Sequence, residues 1–424
     1  MERSLTGYFD QQRQRVIENC KACGFCAKNC PIIEHTELRK ASAKDIQKKV
    51  KAFFEHGETD EIVFQRAFSC MECFKCVDNC CPEGLNPLFV NEMIKWEYNR
   101  NNIIETSYDD PNHETSAQRV LASIQVSPED YRKISEPSDR DRAGYVFFPG
   151  CNVYFQPEKI LNALDVLSLI TEDYAFVPGL DFCCGDVHLF SGSIERGDQT
   201  SKALIHILSS YHPDTVIFWC PTCHCRFVKT ASILNDLPFQ VISFPQFLSE
   251  NMDKLDLKKD IQKRVTLHEA CKSAFTGVDA SGPREVLRKI PGVQLSEMVR
   301  HGKDTACCGS GAIAFFPKGL EAVRDDRLRE ASATNAEVLI DVCHFCHHVF
   351  VGEEPKYRFS VVNYITLLAE AIGIEREDKF KKYRQWNELD RILKDAEMYI
   401  KESPYSPERI VEAINKVIIS EPES

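Results

Sequence analysis

The 424-residue chain lacks several features that would place it in common classes of protein. No apolar stretch approaches the ~18 residues of a membrane-spanning helix, and the first ten residues are polar, unlike the apolar core of a signal peptide. We therefore expect a cytoplasmic protein whose contact with membranes is at most indirect. A basic excess is also missing, because the formal net charge is −12, and this argues against a nucleic-acid partner.

A dinucleotide-binding fingerprint is absent as well. The segment Cys308-Gly-Ser-Gly311 resembles one only superficially, because it lies inside a cysteine motif, and a single glycine-rich patch of this kind is weak evidence. We therefore expect any flavin to belong to another subunit.

Cysteine, in contrast, is abundant, with 20 residues. Two N-terminal runs have the spacing Cys-x-x-Cys-x-x-Cys-x-x-x-Cys that is typical of bacterial ferredoxins with two 4Fe-4S clusters, in which each fourth cysteine ligates the other run's cluster. The ligands expected from these runs are Cys20, Cys23, Cys26, Cys30, Cys70, Cys73, Cys76 and Cys80. The second run ends in Cys80-Cys81-Pro82, so Cys81 is the alternative ligand; we favour Cys80 because it preserves the gap from Cys76.

A second group of cysteines forms a five-cysteine pattern that occurs twice. The first copy is Cys151, Cys183, Cys184, Cys220 and Cys223, and the second is Cys271, Cys307, Cys308, Cys343 and Cys346. Corresponding cysteines are 120 to 124 residues apart, which indicates a duplicated domain. Five soft thiolates exceed the four ligands that complete a zinc site, so each copy is predicted to hold a larger metal cluster.

Disulfides and zinc are the alternatives for so many cysteines. Cytosolic thiols stay reduced, and three cysteines at successive steps of three plus a Cys-Pro differ from the paired Cys-x-x-Cys of zinc ribbons. We therefore favour iron–sulfur clusters in both regions. Eighteen cysteines are then ligands, and the spares are Cys225 and one member of the Cys80-Cys81 pair.

The apolar pattern divides the chain into segments. We expect an α-helical, ferredoxin-like domain over residues 1–100, a polar linker over 101–143, two α/β domains over 144–260 and 261–373, and a helical extension over 374–424. Short strands alternating with helices predict a parallel sheet in each α/β domain, with two of the three cysteine loops of each copy at one edge. In the extension, the apolar stripe of a predicted helix over Lys379–Lys401 suits packing on its own domain or docking of a partner.

The doubled pattern resembles the cysteine-rich CCG domain of heterodisulfide reductases, over roughly residues 10 to 370. The motifs that carry the resemblance are Phe148-Pro-Gly-Cys151, Cys183-Cys-Gly185, Cys220-Pro-Thr-Cys223, Cys307-Cys-Gly309 and Cys343-x-x-Cys346. Departures from the family pattern are His344, where proline is usual, and the His268-Glu-Ala-Cys271 opening of the second copy.

The resemblance implies the fused catalytic-subunit type. Each five-cysteine set would hold a non-cubane 4Fe-4S cluster, and the two clusters would face each other across a pseudo-twofold axis, in addition to the two cubane 4Fe-4S clusters of the N-terminal domain. The same architecture occurs in similar iron–sulfur subunits of glycolate oxidase, anaerobic glycerol-3-phosphate dehydrogenase and benzoyl-CoA reductase complexes.

Two functions follow as expectations. The first is an oxidoreductase subunit of a multi-subunit redox complex, which takes electrons through the cubane clusters and reduces a disulfide at the non-cubane pair. The second is an electron relay without its own substrate, between a flavin dehydrogenase or other reductase and a quinone or protein acceptor. The expected partners are a flavin-containing electron-donor or bifurcating subunit and other redox subunits. The two complete five-cysteine sets favour the first function.

Two histidines are candidate catalytic residues. His268 and His344 lie beside ligand positions, and an imidazole that titrates near neutrality suits protonation of a leaving thiolate. The alternative is that they only donate hydrogen bonds to sulfur or pack within the domain. Lys272 and Lys318 suit an anionic substrate, or else are ordinary solvated lysines.

Overall fold

The N-terminal domain is helical. The computed structural model describes residues 3–77, 81–101, 110–234, 236–279, 281–312 and 316–419. Amphipathic sequence explains the longer helices. In the helix Ala43–His56, Ser42 accepts a hydrogen bond from the Asp45 N–H at the N-terminus, and the apolar face of the helix is buried. The helices are Leu5–Asn19, Phe25–Lys28, Ala43–His56, Glu61–Phe68 and Pro87–Arg100, with 3-10 turns at Ile33–His35 and Glu37–Lys40.

Two parallel sheets follow, one in each copy of the cysteine pattern. The first contains β1 (Tyr145–Phe148), β2 (Tyr174–Phe176), β3 (Thr215–Phe218) and β4 (Gln240–Ser243), in the order β2-β1-β3-β4. The second contains β5 (Lys263–His268), β6 (Val293–Leu295), β7 (Val338–Asp341) and β8 (Ser360–Asn363), in the order β6-β5-β7-β8. The identical order confirms the duplication and the parallel sheets. Each sheet also has an edge strand, β4 or β8, that the sequence pattern did not predict.

The central strands of the first sheet are mostly apolar and buried, as expected for a parallel sheet that is covered on both faces. Val146, Phe147 and Phe148 of β1 are fully buried, as are Val216 and Ile217 of β3. The helices of the first copy are Pro157–Ile170, Asp186–Phe190, Ile194–Ser210, Pro221–Leu234 and Phe244–Asn251, with 3-10 turns at Asn152–Phe155 and Met252–Lys254. Those of the second are Cys271–Thr276, Gly282–Lys289, Pro317–Ala333, His344–Val351 and Tyr364–Ile372, with 3-10 turns at Gly302–Asp304, Ser310–Ala312 and Glu354–Lys356.

Helices also form the linker and the C-terminal extension. In the linker they are Ala117–Ser123 and Pro128–Ser135, and in the extension Lys379–Trp386, Leu389–Asp395, Glu397–Glu402 and Pro407–Val417. The prediction of one helix over Lys379–Lys401 was wrong, because Asn387 adopts a left-handed φ of 50° and ends the first helix. Tyr383, Ile392 and Ala396 are fully buried, so the apolar stripe packs within the chain. No described helix has both the length and the apolar character that a membrane span requires.

Candidate metal centres

The first ferredoxin-like run forms a site at the surface of the N-terminal domain. Cys20, Cys23 and Cys26 line one small cavity together with Cys81. We call this group site A. Cys80, the ligand favoured from spacing, lies outside the described residues. The position of Cys81 supplies the fourth thiol from the opposite run, as ferredoxin-type ligation requires, and so favours Cys81 over Cys80.

The second run forms site B, which consists of Cys70, Cys73, Cys76 and Cys30. Burial raises the pKa of the Cys76 thiol well above its ordinary value, and the nearby thiols of Cys70, Cys73 and Cys30 raise it further. The exchange of fourth cysteines between the two runs is thus visible in the fold: Cys30 lies at site B, and Cys81 lies at site A.

The backbone of both runs suits metal–sulfur clusters. Left-handed φ values alternate along each Cys-x-x-Cys-x-x-Cys loop, at Ala22 and Gly24 in the first run and at Glu72 and Phe74 in the second. Alternation of this kind turns successive N–H groups toward one concave side, where they stabilise an anionic group. Three of these four residues are not glycine, so their conformation costs free energy that an inorganic cluster at the site would offset.

A buried cation lies between sites A and B. The side chain of Arg66 is only 2% exposed, donates from Nη1 to Cys30 Sγ at 3.6 Å, and lines the cavity of site A. Gln47 also donates, from Nε2 to Cys20 Sγ at 3.6 Å. Donors to ligand sulfur are a main determinant of cluster potential, so these side chains are placed to tune both N-terminal sites.

The ten cysteines of the duplicated pattern line one central cavity of about 490 Å³. We call the first copy's five cysteines site C and the second copy's five cysteines site D. The described cysteines are free, and the closest recorded sulfur pair, Cys151 and Cys183, is 3.7 Å apart, far from the ~2.05 Å of a disulfide. Two soft, five-thiolate donor sets that face one cavity fit two metal clusters and do not fit a single zinc ion.

The fold explains how distant cysteines converge. Cys151 and Cys220 follow the ends of β1 and β3, and Cys271 and Cys343 follow the ends of β5 and β7 in the same way. Carboxyl ends of parallel strands meet at one edge of a sheet. Cys343 is also the N-cap of the helix His344–Val351, where the helix dipole favours the thiolate form.

Gly150 allows the loop before Cys151 to approach the other ligands. It has a left-handed φ of 89°, and a Cβ atom at this position would lie 2.9 Å from Cys223 Sγ. Only glycine satisfies both conditions. The close approach brings Cys151 into the same cavity as Cys220 and Cys223.

His268 reaches site D. A ring nitrogen of this fully buried histidine lies within 4.8 Å of the Sγ atoms of Cys308 and Cys346. Nδ1 accepts a hydrogen bond from Arg327 Nε at 2.9 Å, whereas Nε2 has no hydrogen-bond partner among the described residues. The pKa of the Cys308 thiol lies well below its ordinary value, because the thiols of Cys307 and Cys346 and, in addition, the nearby imidazole of His268 stabilise the thiolate.

His344 belongs to the second copy but reaches site C. Burial opposes ionisation of Cys220, yet the pKa of its thiol lies well below the ordinary value because the Cys223 thiol and the imidazole of His344 stabilise the thiolate. His344 lines the central cavity, and neither ring nitrogen has another hydrogen-bond partner within the described ranges. The two candidate histidines therefore serve different sites, and only His344 borders the cavity.

Two further histidines of the helix His344–Val351 pack within the protein. His347 is fully buried, with Nδ1 2.7 Å from Asp341 and Nε2 2.7 Å from Asp378. Lys159, from the first copy, also binds Asp378, at 3.0 Å. This group therefore ties the two copies and the C-terminal extension together, while His348 packs on Phe380.

A buried ionic network joins the N-terminal domain to both copies of the repeat. Arg226 Nη2 lies 2.6 Å from Glu92 and 3.2 Å from Glu72, and its Nε lies 2.6 Å from Asp186. Lys272 Nζ also contacts Asp186 at 3.2 Å and Glu72 at 3.4 Å. Glu72 lies between two ligands of site B and lines the central cavity, so the network lies where sites B, C and D meet.

Sequence reasoning missed this network. Lys272 was weighed as a substrate-binding or solvated lysine, but it is 8% exposed and paired with two carboxylates. Lys318 is not among the residues that line the cavity. Charged residues within two positions of ligand cysteines (Glu72, Asp186, Lys272) were the available signal. Cys225 is buried in a small cluster with Phe74 and Leu88 that also contains Cys70 of site B, and it is not among the residues that line the central cavity.

Comparison with known families agrees with this arrangement. Residues 16–85 match the model of a 4Fe-4S dicluster domain. Residues 145–227 and 265–351 each match the model of the CCG cysteine-rich domain. The family match thus covers both N-terminal runs and both copies of the five-cysteine pattern.

Relatives align over most of the chain. A subunit of the dihydromethanophenazine:CoB–CoM heterodisulfide reductase from Methanosarcina barkeri is 25% identical, over 84% of this chain and 94% of that protein. A subunit of the fumarate reductase (CoM/CoB) from Methanothermobacter marburgensis is 25% identical, over 85% of this chain and 73% of that protein. A probable glycolate oxidase iron-sulfur subunit from Bacillus subtilis is 22% identical, over 89% of this chain and 94% of that protein. All three names denote subunits of redox enzymes.

Proposed function

This chain belongs to the iron–sulfur proteins that combine a 4Fe-4S dicluster domain with two CCG domains, and we propose that it is the disulfide-reducing subunit of a multi-subunit redox complex. The observation that supports this proposal is the central cavity, because the ten cysteines of sites C and D line a single space of about 490 Å³. That volume is in the range of small-molecule binding sites. A relay has no evident need for two unusual donor sets around such a space.

Iron–sulfur clusters, when bound, supply single electrons at potentials that the protein tunes. We propose cubane 4Fe-4S clusters at sites A and B and non-cubane 4Fe-4S clusters at sites C and D. Individual side chains indicate which of these sites are neighbours. Arg66 lies between sites A and B. Sites B and D are also neighbours, because the Cys271 thiol of site D helps to raise the pKa of the Cys73 thiol in site B. Clusters held at these sites would be able to pass single electrons in the order A, B, D.

The proposed reaction is the two-electron reduction of a disulfide. One S–S bond breaks, two electrons and two protons are consumed, and two thiols form. The electrons come one at a time from a donor protein, for which we propose a flavin-containing subunit. The side chains of Met71, Phe155, Phe190 and Phe345 give the cavity an apolar wall.

His344 is the better candidate for protonating a leaving thiolate. It borders the cavity, whereas His268 does not, and its nitrogens are not held by another side chain of the described chain. His268 is fixed by Arg327, which always donates and so keeps Nδ1 unprotonated. We therefore assign proton transfer to His344 and hydrogen bonding at site D to His268. Because thiolate ligands must stay reduced, we also propose a cytoplasmic location.

Serine substitutions in the two sites test this function. We expect Cys184→Ser in site C and Cys308→Ser in site D each to abolish reductant-dependent thiol release from low-molecular-weight mixed disulfides. Both variants should keep N-terminal clusters that an artificial donor reduces. Cys225→Ser is the matched control, because Cys225 is buried but belongs to no ligand set, and it should retain activity.

Spectroscopy separates reduction from relay. A disulfide reductase should show a new paramagnetic signal when the oxidised protein is freeze-quenched with its disulfide substrate. The similarity to a glycolate oxidase iron-sulfur subunit favours the relay as the second candidate, between a flavin dehydrogenase or other reductase and a quinone or protein acceptor. Unchanged spectra with every disulfide tried, together with normal electron flow to a partner protein, would favour that relay.

A further inference from the structure

One ligand of site A reaches the protein surface. Of the cysteines that the structure describes, only Cys23 is exposed, and the others are buried or partly buried. Phe25, two residues later, is 48% exposed, although large apolar side chains are rarely so exposed in this chain. Electron transfer between proteins slows steeply with distance, so the surface at Cys23 is the shortest path between site A and a second protein.

The surroundings of Cys23 are basic in a chain that is acidic as a whole. Residues 21–51 contain eight lysines and arginines against three acidic residues, while the whole chain has a net charge of −12. The remainder of the chain therefore carries the entire acidic excess. A local positive field on an otherwise negative molecule orients an approaching protein.

The lysines nearest to Cys23 are those without an acidic partner. Lys28 and Lys44 line an open groove with Cys23 and Phe25, and Lys21 lines the adjoining cavity with Cys23. All three are exposed, and none forms a salt bridge with a described residue. Other lysines of this segment are paired: Lys40 with Glu37, Lys48 with Asp45, Lys49 with Asp60 and Lys51 with Glu55. Glu83 is the acidic side chain that lines the adjoining cavity.

The backbone holds these side chains on one face. Gly24 has a left-handed φ of 81°, and a Cβ atom there would lie 2.5 Å from the Ala43 carbonyl carbon. This close approach packs the short helix Phe25–Lys28 against the start of the helix Ala43–His56. Lys28 and Lys44 consequently flank Cys23 on a rigid part of the domain.

We propose that Lys21, Cys23, Phe25, Lys28 and Lys44, which we call the Cys23 face, form the docking site of an acidic electron-carrier protein. The proposal rests on the electron-transfer function proposed above. Phe25 provides the apolar centre, and the three lysines form a charged rim that steers and orients the carrier. A lipid surface fits less well, because one exposed aromatic side chain on a four-residue helix does not make an amphipathic membrane-binding helix.

The docked step transfers one electron. The reduced carrier, for example an acidic 4Fe-4S ferredoxin that mediates between the flavin-containing subunit proposed above and this chain, is oxidised by one electron, and a cluster held at site A would take up that electron. No bond breaks and no proton is required. Two such encounters supply the electrons for one disulfide.

Charge reversal of the rim tests the proposal. The variant is Lys21→Glu/Lys28→Glu/Lys44→Glu in the full-length, cluster-loaded protein. Stopped-flow absorbance measures cluster reduction by a pre-reduced acidic 4Fe-4S ferredoxin and, separately, by reduced methyl viologen. We expect the rate constant with ferredoxin to fall at least about tenfold at low salt and the difference to shrink at high salt. The rate with viologen should stay within about twofold.

A matched control keeps the change of net charge constant. Lys254→Glu/Lys258→Glu/Lys303→Glu alters three exposed lysines of the repeat region and removes the same charge. It should react with ferredoxin like the unmodified protein. Phe25→Ser should lower the ferredoxin rate with little change in its salt dependence, because it removes apolar contact and no charge.

Three results would overturn the proposal. The first is an equal ferredoxin rate for the rim and control variants while viologen reduction is normal. The second is an equal loss in both variants, which would indicate a general effect of net charge. The third is binding to phosphatidylglycerol vesicles that only the rim variant loses, which would assign the face to lipid. Failure of viologen to reduce the unmodified protein would instead contradict the proposed function, so the two failures are distinguishable.

Discussion

Replacement of His268 by phenylalanine should lower the reduction potential of site D and leave site C unchanged. A guanidinium always donates, so the hydrogen bond from Arg327 Nε to Nδ1 keeps that nitrogen unprotonated. The proton of the neutral ring then lies on Nε2, the nitrogen left for Cys308 and Cys346. An N–H group directed at ligand sulfur stabilises the added negative charge of a reduced cluster.

The first copy has no counterpart of the hydrogen-bonded pair His268 and Arg327. Phe148 ends β1 as His268 ends β5, and Leu204 is the eleventh residue of its helix as Arg327 is of the corresponding helix. Both counterparts are apolar and fully buried. The duplicated domains therefore differ in one hydrogen-bond donor, His268, and in the arginine that binds it. His268→Phe makes site D resemble site C in this respect.

The size of the expected shift in reduction potential follows from the strength of one hydrogen bond to a charged group. A hydrogen bond to a charged group contributes about 1.5–3 kcal/mol, and only the difference between the two oxidation states shifts the potential. A difference of about 1.4 kcal/mol corresponds to about 59 mV for a one-electron couple. We therefore expect a decrease of about 60 mV at site D.

Redox titration followed by EPR on anaerobically purified protein measures this shift. His348→Phe is the control, because His348 is a partly buried histidine of the second copy that packs on Phe380. Arg327→Met should lower the same potential, although it also removes one of the two arginines that bind Glu269 and Glu330, which keep Arg284 and Arg300, and so reduces stability. An unchanged potential in His268→Phe, or equal shifts at sites C and D, would refute the assigned role.

Three further predictions concern the metal content, the ligand set and stability. Anaerobically purified protein should contain about sixteen irons, four per site, and about eight irons or stoichiometric zinc would contradict clusters at sites C and D. Cys81→Ser should alter the EPR signal of a cubane cluster while Cys80→Ser does not; the opposite result would restore Cys80 as the ligand. Burial raises the pKa of Asp279 from 3.8 to about 6, so the folded state binds its proton more tightly than the unfolded state does, and this contribution to stability is lost as pH rises through about 6. Asp279→Asn should therefore increase stability by about 2–3 kcal/mol at pH 7 and by little at pH 4, and equal melting temperatures of mutant and parent at pH 7 would contradict this.

Ligand chemistry and the main strands could be predicted because short-range patterns encode them. The apolar run Tyr145–Phe148 gave a strand with the bounds that the structure has, and so did Val293–Leu295. Cysteines directly after such strands could be placed at a common edge, since parallel strands end together. The convergence of all ten cysteines on one cavity depends on how the two copies pack against each other. This convergence was implied by the family resemblance and not by the spacing.

Other features depend on contacts that no local pattern records. The edge strand Gln240–Ser243 is short and half exposed, so it lacks an apolar run. Cys80 was favoured over Cys81 from a gap length, while the position of Cys81 depends on the fold of the loop around site A. Arg327 is 59 residues from His268 in the sequence, and nothing in the sequence distinguishes it from the other polar residues of its helix. Its contact with His268 forms only when the helix packs on the sheet.

The buried network around Arg226 limits how this architecture can be taken apart. Removal of the N-terminal domain would take away Glu72 and Glu92, two of the three carboxylates that bind Arg226, inside a protein where that side chain is fully buried. Arg226 would keep only Asp186, and breaking a buried ion pair by removing one partner costs about 3–5 kcal/mol, a large share of the stability of a typical domain. The dicluster domain is therefore not an interchangeable module: a chimera that receives this domain from a relative should fold well only if the donor brings acidic side chains at both positions.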